Sequence, residues 1–314
     1  MRHSFPKASL GFGCWGIGGC TPGISSYGPT DDQISLQALE RAIQRGITFF
    51  DTAPAYGNGH SEALLGEACD GSAAPIFIAT KAGQERFDLQ PDFRVDAMAR
   101  VLEHSLQRLR RDRVDLLQLH SPPETLLERP DEHLKWLHAL IHQKMVGHFG
   151  VSVKTPMQGI LAIQRMQPTA LQVNFNLMDQ RVMDCGLLKM AQEQNVVLIA
   201  RTPLCFGFLT GTLDHTTRFV PGDHRGDWPV AQRHRWIEGG RAFAAWVQTE
   251  GMGVTELALR YPISFAPVAL VIPGMLSSKE VDTNADIIEH GPLPQSMLES
   301  IRNIYESHNR FTPV

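Results

Sequence analysis

Eight short runs constrain this chain more than anything else in it: residues 9–13 (SLGFG), 47–52, 76–81, 114–119, 147–152 (GHFGVS), 170–175 (ALQVNF), 196–202 (VVLIART) and 268–273 (VALVIP). Seven of them are nearly continuous in apolar residues, as strands buried on both faces of a parallel sheet must be. Helical patterns fill the intervals, and eight parallel strands is the number that closes a barrel. The expected fold is therefore α/β, an (α/β)8 TIM barrel with long loops at its C-terminal rim. Such a barrel commonly takes about 250 residues, so a chain of 314 residues can be one. No repeat, low-complexity tract or linker divides it, and 1–314 reads as a single barrel domain.

Helices are expected over 31–45, 60–69, 94–110, 131–144, 156–166, 181–193, 239–250, 254–265, 277–288 and 294–307. In the first, Ile34, Leu36, Ala38, Leu39, Ala42 and Ile43 share one broad face. Thr30 with Gln33 suggests a capping box at its start, and Gly46 a stop at its end. His60 and Ser61, after Gly59, read either as caps of the second helix or as pocket contacts. Residues 204–238 are rich in Gly, Pro, His, Arg and Trp. They read as one long loop over the barrel mouth, either a cover for a ligand or a solvated excursion.

Charge and cysteine usage narrow the function. A formal charge of −4, with Lys and Arg scattered along the chain, offers no electrostatic footprint for nucleic acid or an anionic membrane. A small-molecule substrate is favoured. Cys14, Cys20, Cys69, Cys185 and Cys205 include no CxxC pair and are odd in number, which is no disulfide framework. No run approaches the roughly 20 apolar residues of a membrane span, and no secretory leader is recognisable at the start. The expectation is a soluble, cytoplasmic protein of unspecified oligomeric state.

Three of the strands end in ionisable residues: ITFFD at Asp51, IFIATK at Lys81 and DLLQLH at His120, with Tyr56 on the turn after the first. Consecutive β/α units place consecutive strands side by side, so these ends meet on one rim. An ammonium beside a phenol stabilises phenolate and lowers a pKa that is ordinarily about 10, and a carboxylate holds the ammonium charged. Tyr56, Lys81 and Asp51 would thus form a proton donor and acceptor with its supporting pair, while His120 could polarise a carbonyl. Taken singly, a strand-end Asp is more often a turn cap, a Lys solvated and a His packed. Their joint order is what favours catalysis. HExxH, GxSxG and GxxxxGK[ST] are absent, which disfavours metallohydrolase, serine-hydrolase and P-loop chemistry.

The stretch FFDTAPAYGNGHSEALLGE (49–67), with IATK, LLQLH, GVS, QVNFN, ARTPLCFGFLTG (200–211) and VIPG (271–274), resembles the aldo-keto reductases in order, spacing and strand position, specifically a bacterial-type branch with an ARxPL motif. The resemblance implies an NAD(P)H-dependent oxidoreductase that interconverts an aldehyde, ketone or sugar-like carbonyl with its alcohol. Its cofactor would be NADP(H), with NAD(H) also admitted. Tyr56 becomes the general acid/base, Asp51 and Lys81 its tuning partners, His120 the carbonyl-orienting residue. Cofactor contacts are implied for Gly13, Cys14, Trp15 and Asp51; for Ser152 and Gln172 at the carboxamide; for Arg201, Thr202, Pro203, Leu204 and Gly207; and for Gly274, Leu276, Ser278, Glu280 and Asn284 at the adenosine end. Arg201 stands where many members have a tyrosine stacked on the nicotinamide, and a guanidinium plane can also stack; otherwise it is a salt-bridge partner. Cys14 and Trp15 are alternatively core packing. Leu276 and Glu280 lack the basic residue often found there, and Glu280 is either a cofactor contact or a helix-surface residue. A cofactor-binding barrel with a regulatory, interaction or non-redox role is the alternative function.

Overall fold

The computed structural model describes residues 5, 9–21 and 26–308, so residues 22–25 of the rim loop 15–30 lie outside the described residues. Eight parallel strands follow in chain order: β1 (Gly11–Gly13), β2 (Phe49–Asp51), β3 (Phe77–Ala82), β4 (Val114–His120), β5 (Val146–Ser152), β6 (Ala170–Asn174), β7 (Val197–Arg201) and β8 (Val268–Ile272). Each pairs with the next. Parallel bridges Leu10↔Val271 and Gly13↔Gly274, with the Gly13 amide donating to Pro273 O at 2.9 Å, bring β1 back to β8 and close the barrel. All eight expected strands are present, each within two residues of its expected bounds.

Strand alternation divides the chemistry. Phe49, Phe77, Leu116, Ala170, Ile199 and Leu270 form a buried cluster of their own inside the barrel, capped by Phe5, whose ring lies 5.9 and 5.3 Å from those of Phe49 and Phe77. Side chains two residues further along a strand point to the same face, and at that level stand Asp51, Gln118, Gln172 and Arg201, with Lys81 following Ala79 in the same phase. The interior is thus an apolar floor beneath a polar layer. The larger core lies outside the strands, where helices bury faces such as Met98, Leu102, Leu106 and Leu109 of Val95–Leu109.

Four local expectations are corrected. The first helix, Asp32–Gln44, is capped by Asp31, whose carboxylate accepts from Ile34 N at 3.0 Å; three residues beyond Asp31 there is no Glu or Gln, so no capping box forms between Thr30 and Gln33. The second helix, His60–Ala68, starts from Gly59 at φ 91° without a side-chain cap, and the Ser61 hydroxyl donates instead to Cys14 O at 2.8 Å. The expected helix 181–193 is two, Arg181–Asp184 and Leu187–Glu193, separated at Gly186, which adopts φ 79°. Finally, the helix expected at 239 starts at Val230 and runs to Thr249, because Trp236 and Ile237 pack inward; the connection after β7 therefore ends at Pro229 rather than 238. Among the described residues, no helix is long and apolar enough to cross a membrane.

Candidate active site

The polar layer opens at the C-terminal rim into a cavity of about 320 Å³, with Tyr56, Asp51, His120, Ser152, Gln172 and Arg201 on its walls. Lys81, fully buried beneath it, joins the first two: its Nζ donates to Asp51 Oδ1 at 2.6 Å, to Thr52 O at 2.8 Å and to Tyr56 Oη at 3.0 Å. Three acceptors fix the three N–H bonds of the ammonium, and the phenol oxygen is one of them. The His120 ring stands nearly perpendicular to that of Tyr56, with centroids 6.0 Å apart, and its Nδ1 is buried without a partner. Phe87, from the loop after β3, closes the third side of this group, 6.3 Å from Tyr56 and 6.2 Å from His120.

The other oxygen of Asp51 has two partners. Gln118 Nε2 donates to Oδ2 at 3.0 Å and Gln172 Nε2 at 2.6 Å, while Gln172 Oε1 accepts from Ser152 Oγ at 3.2 Å. One buried chain of hydrogen bonds therefore runs from the phenol through Lys81 and Asp51 to the Ser152–Gln172 pair, crossing β2 to β6. Gln118 was not singled out from the sequence. Its signal was its place two residues before His120 on β4, in the inward phase and in register with Lys81.

Burial reverses one expectation. The Tyr56 phenol is pushed above its ordinary value, because desolvation and the Asp51 carboxylate outweigh the opposing Lys81 ammonium. For Lys81, burial favours the neutral amine, yet Asp51 and Tyr56 together hold the ammonium above its usual range. His120 is driven well below the usual imidazole range by burial and by the positive charges of Lys81, Arg201 and Lys154, so it is neutral at neutral pH. The site at rest holds a protonated phenol, a charged lysine and a neutral imidazole.

A second cavity, about 580 Å³, continues from the first, and the two share Tyr27, Thr202, Phe206 and Gly274 on their walls. Pro203, Leu204, Gly207, Leu276, Glu280 and Asn284 line it, so most expected cofactor residues lie along one cleft. Gly274 faces this cleft: a Cβ there would meet no protein atom closer than 3.9 Å, leaving room for a ligand against the backbone. Such a cleft, with an amide–hydroxyl pair at one end and an open glycine midway, fits an extended dinucleotide.

Two expected contacts point elsewhere. Cys14 is completely buried, its Sγ turned to Phe12 O at 3.7 Å, whereas its neighbours Gly13 and Trp15 line the catalytic cavity. Ser278 Oγ donates to Gln37 O at 3.2 Å on the first helix, and Ser277 and Lys279 take the cleft positions in its place. Over the cleft, the connection after β7 is tied to the first rim loop. Tyr27 and Asp223 form an antiparallel bridge, His224 N donates to Ser26 O at 3.0 Å, and the Arg225 guanidinium lies 4.7 Å from the Tyr27 ring while donating to Phe206 O. It folds as a cover.

A model of the aldo/keto reductase family matches residues 9–306. The aldo-keto reductase YhdN of Bacillus subtilis is 31% identical over 237 residues, 73% of this chain and 68% of that protein. The chain belongs to the aldo/keto reductase family. The likeness extends along nearly the whole chain: L-galactose dehydrogenase of Arabidopsis thaliana is 25% identical over 97% of this chain and 92% of its own. Among solved structures, the glycerol dehydrogenase AKR11B4 of Gluconobacter oxydans superposes with a TM-score of 0.82 at 26% identity, covering 100% of this chain and 95% of that one.

Proposed function

We propose that Tyr56 is the general acid and base of an NAD(P)H-dependent oxidoreductase that interconverts a small carbonyl compound with its alcohol. The observation that carries this reading is the set of buried Lys81 and Asp51 with half-buried Tyr56, joined at 2.6 and 3.0 Å, opening beside His120 into the cavity. A protonated phenol with a raised pKa is ready to give a proton to a carbonyl oxygen at neutral pH, and the adjacent ammonium stabilises the phenolate left behind. Neutral His120, on the cavity wall, orients the carbonyl without competing for the proton. Trp15, Phe87 and Phe206 supply an aromatic wall that keeps water from the reacting carbon.

When bound, the nicotinamide supplies the hydride. Ser152 and Gln172 would hold its carboxamide, Arg201 its ring face, Thr202 to Gly207 and Gly274 its diphosphate, and Leu276 to Asn284 the adenosine. The cofactor is NADP(H), as in the NADP(+)-named relative yakc of Schizosaccharomyces pombe, which is 28% identical over 239 residues. Because Glu280 lies in the adenosine part of the cleft, NAD(H) is also accepted. The substrate class is a hydroxylated aldehyde, ketone or polyol, the class named for the glycerol and L-galactose dehydrogenases it resembles.

Absorbance of the reduced nicotinamide, followed with a panel of short aldehydes, ketones, sugars and polyols and with both dinucleotides, tests the reading. Turnover of at least one pair that disappears in Tyr56→Phe is expected. Binding of cofactor without turnover of any carbonyl or alcohol would instead favour the regulatory alternative.

A further inference from the structure

The charges on the catalytic cavity do not balance. Among the described residues Asp51 is its one lining carboxylate, and that group is engaged by Lys81, Gln118 and Gln172. Lys81 and Asp51 cancel as a pair. Arg201 and Lys154 remain, both on the cavity wall. The Arg201 guanidinium donates to the neutral Val153 O at 3.1 Å, and Asp179, which acts on it from a distance, is already bridged to Arg181 at 2.6 Å. Lys154 is exposed, two residues beyond Ser152 at the end of β5. Around the carboxamide pair Ser152–Gln172 the cavity therefore carries two cations that, among the described residues, form no ion pair with a carboxylate.

We propose that Arg201, assisted by Lys154, makes the nicotinamide seat discriminate between the two redox states of the cofactor, holding the reduced form more tightly than the oxidised form. The inference rests on the cofactor seat proposed above and adds to it. In the reaction, carbonyl, reduced cofactor and one proton become alcohol and oxidised cofactor; the hydride takes two electrons and one hydrogen nucleus to the carbonyl carbon, and Tyr56 gives the proton to oxygen. The ring left behind gains one positive charge while its phosphates are unchanged. The difference between the two forms is thus a single charge placed against a guanidinium. A guanidinium also stacks favourably on the electron-rich reduced ring and unfavourably on the cationic one. In a partly desolvated site, two like charges in contact amount to a factor on the order of tenfold or more in affinity.

A tenfold preference raises the two-electron potential of the bound couple by about 30 mV. The bound cofactor becomes a better hydride acceptor than the free one, so the on-enzyme equilibrium leans toward alcohol oxidation relative to solution.

The test is titration of the full-length protein with NADPH, NADP+, NADH and NAD+ by fluorescence quenching and calorimetry, read as the ratio of oxidised to reduced Kd. A parental ratio on the order of tenfold is expected, collapsing several-fold in Arg201→Gln and surviving in Arg201→Lys, which keeps the charge. Lys154→Met, at an exposed position, should reduce it by roughly twofold, in line with a screened contact. Should Arg201→Gln fail to fold, Lys154→Met decides, and an unchanged ratio there overturns the proposal. Equal loss of affinity for both forms in Arg201→Gln overturns it too, leaving stacking alone. Tight parental binding with a ratio near unity sinks the discrimination only, whereas no binding of either form sinks the cofactor reading itself.

Discussion

At the catalytic end of the cleft the polar side chains Asp51, Lys81, Gln118, Ser152 and Gln172 all come from strands, and all are buried. At the adenosine end they come from the loop after β8 and the first turns of helix Ser278–Glu289, where Lys279, Glu280 and Thr283 are exposed. The first group is over-determined: strand register fixes each Cα, and each buried polar atom of the network answers to another. The second group stands in water, where ion pairs contribute little and geometry is soft. On the proposed reading, chemistry that needs sub-ångström placement sits where the barrel is stiff, and the choice between two dinucleotides is left to a surface that can change without disturbing it.

The largest effect should come from breaking the stiff end at its centre. Tyr56→Phe removes the transferable proton and leaves the ring, so kcat should fall by about 10²–10⁴-fold with cofactor Kd nearly unchanged. Steady-state kinetics beside a cofactor titration separate the two, and retention of most activity would take Tyr56 out of the mechanism.

Lys81→Met comes next. The ammonium opposes the rise in the Tyr56 pKa that burial causes, so its removal must raise that pKa further. Proton donation in the reductive direction then persists to higher pH, and the alkaline limb should move upward or leave the accessible range. Alcohol oxidation needs the phenolate, so it loses rate across the same range. An unchanged profile at normal turnover would show that the lysine acts by packing alone.

What could be read from the sequence follows the same division. Short apolar runs ending in Asp51, Lys81 and His120 announced both the barrel and its rim, because a strand buried on two faces has only its end free for chemistry. Gln118 escaped notice since a neutral residue inside an apolar run carries no charge signal; only its inward phase betrays it. The sign of the Tyr56 shift was missed because adjacency to a lysine is visible in sequence and depth of burial is not. On the helix, one residue is about 100° of rotation, so Ser278 turned to Gln37 while Ser277 and Lys279 reached the cleft. The start of the helix at Val230 was hidden by QRHR, whose charges mask the inward Trp236 and Ile237.

Gln118→Leu tests the network at a smaller scale. Asp51 loses one of two amide donors to Oδ2 and keeps Gln172 and Lys81. A hydrogen bond to a charged group contributes about 1.5–3 kcal/mol, so denaturation should show a loss within that range. No loss of stability in Gln118→Leu would take that amide out of the network.

The smallest change is expected at the soft end. Glu280 Oε2 accepts from the Leu276 amide at 2.6 Å, and Ser277 Oγ accepts from Glu280 N at 3.3 Å, so the exposed carboxylate is turned back onto the loop. Its charge lies in the part of the cleft proposed for the adenosine phosphate, with Lys279 beside it on the cleft wall. A preference for NADP(H) weaker than in relatives with a basic residue here is therefore expected. Leu276→Arg adds a guanidinium that can meet the phosphate in bidentate fashion, but Glu280 competes for it and water screens both. The gain for NADPH should be about 1 kcal/mol, as for an exposed ion pair, with NADH roughly unaffected. Glu280→Gln in the same background should enlarge it by removing the competitor. The comparison is kcat/KM and Kd for both cofactors in parent and variants. A strong parental preference for NADH would mean that Glu280 governs the adenosine end and that the phosphate has no seat there.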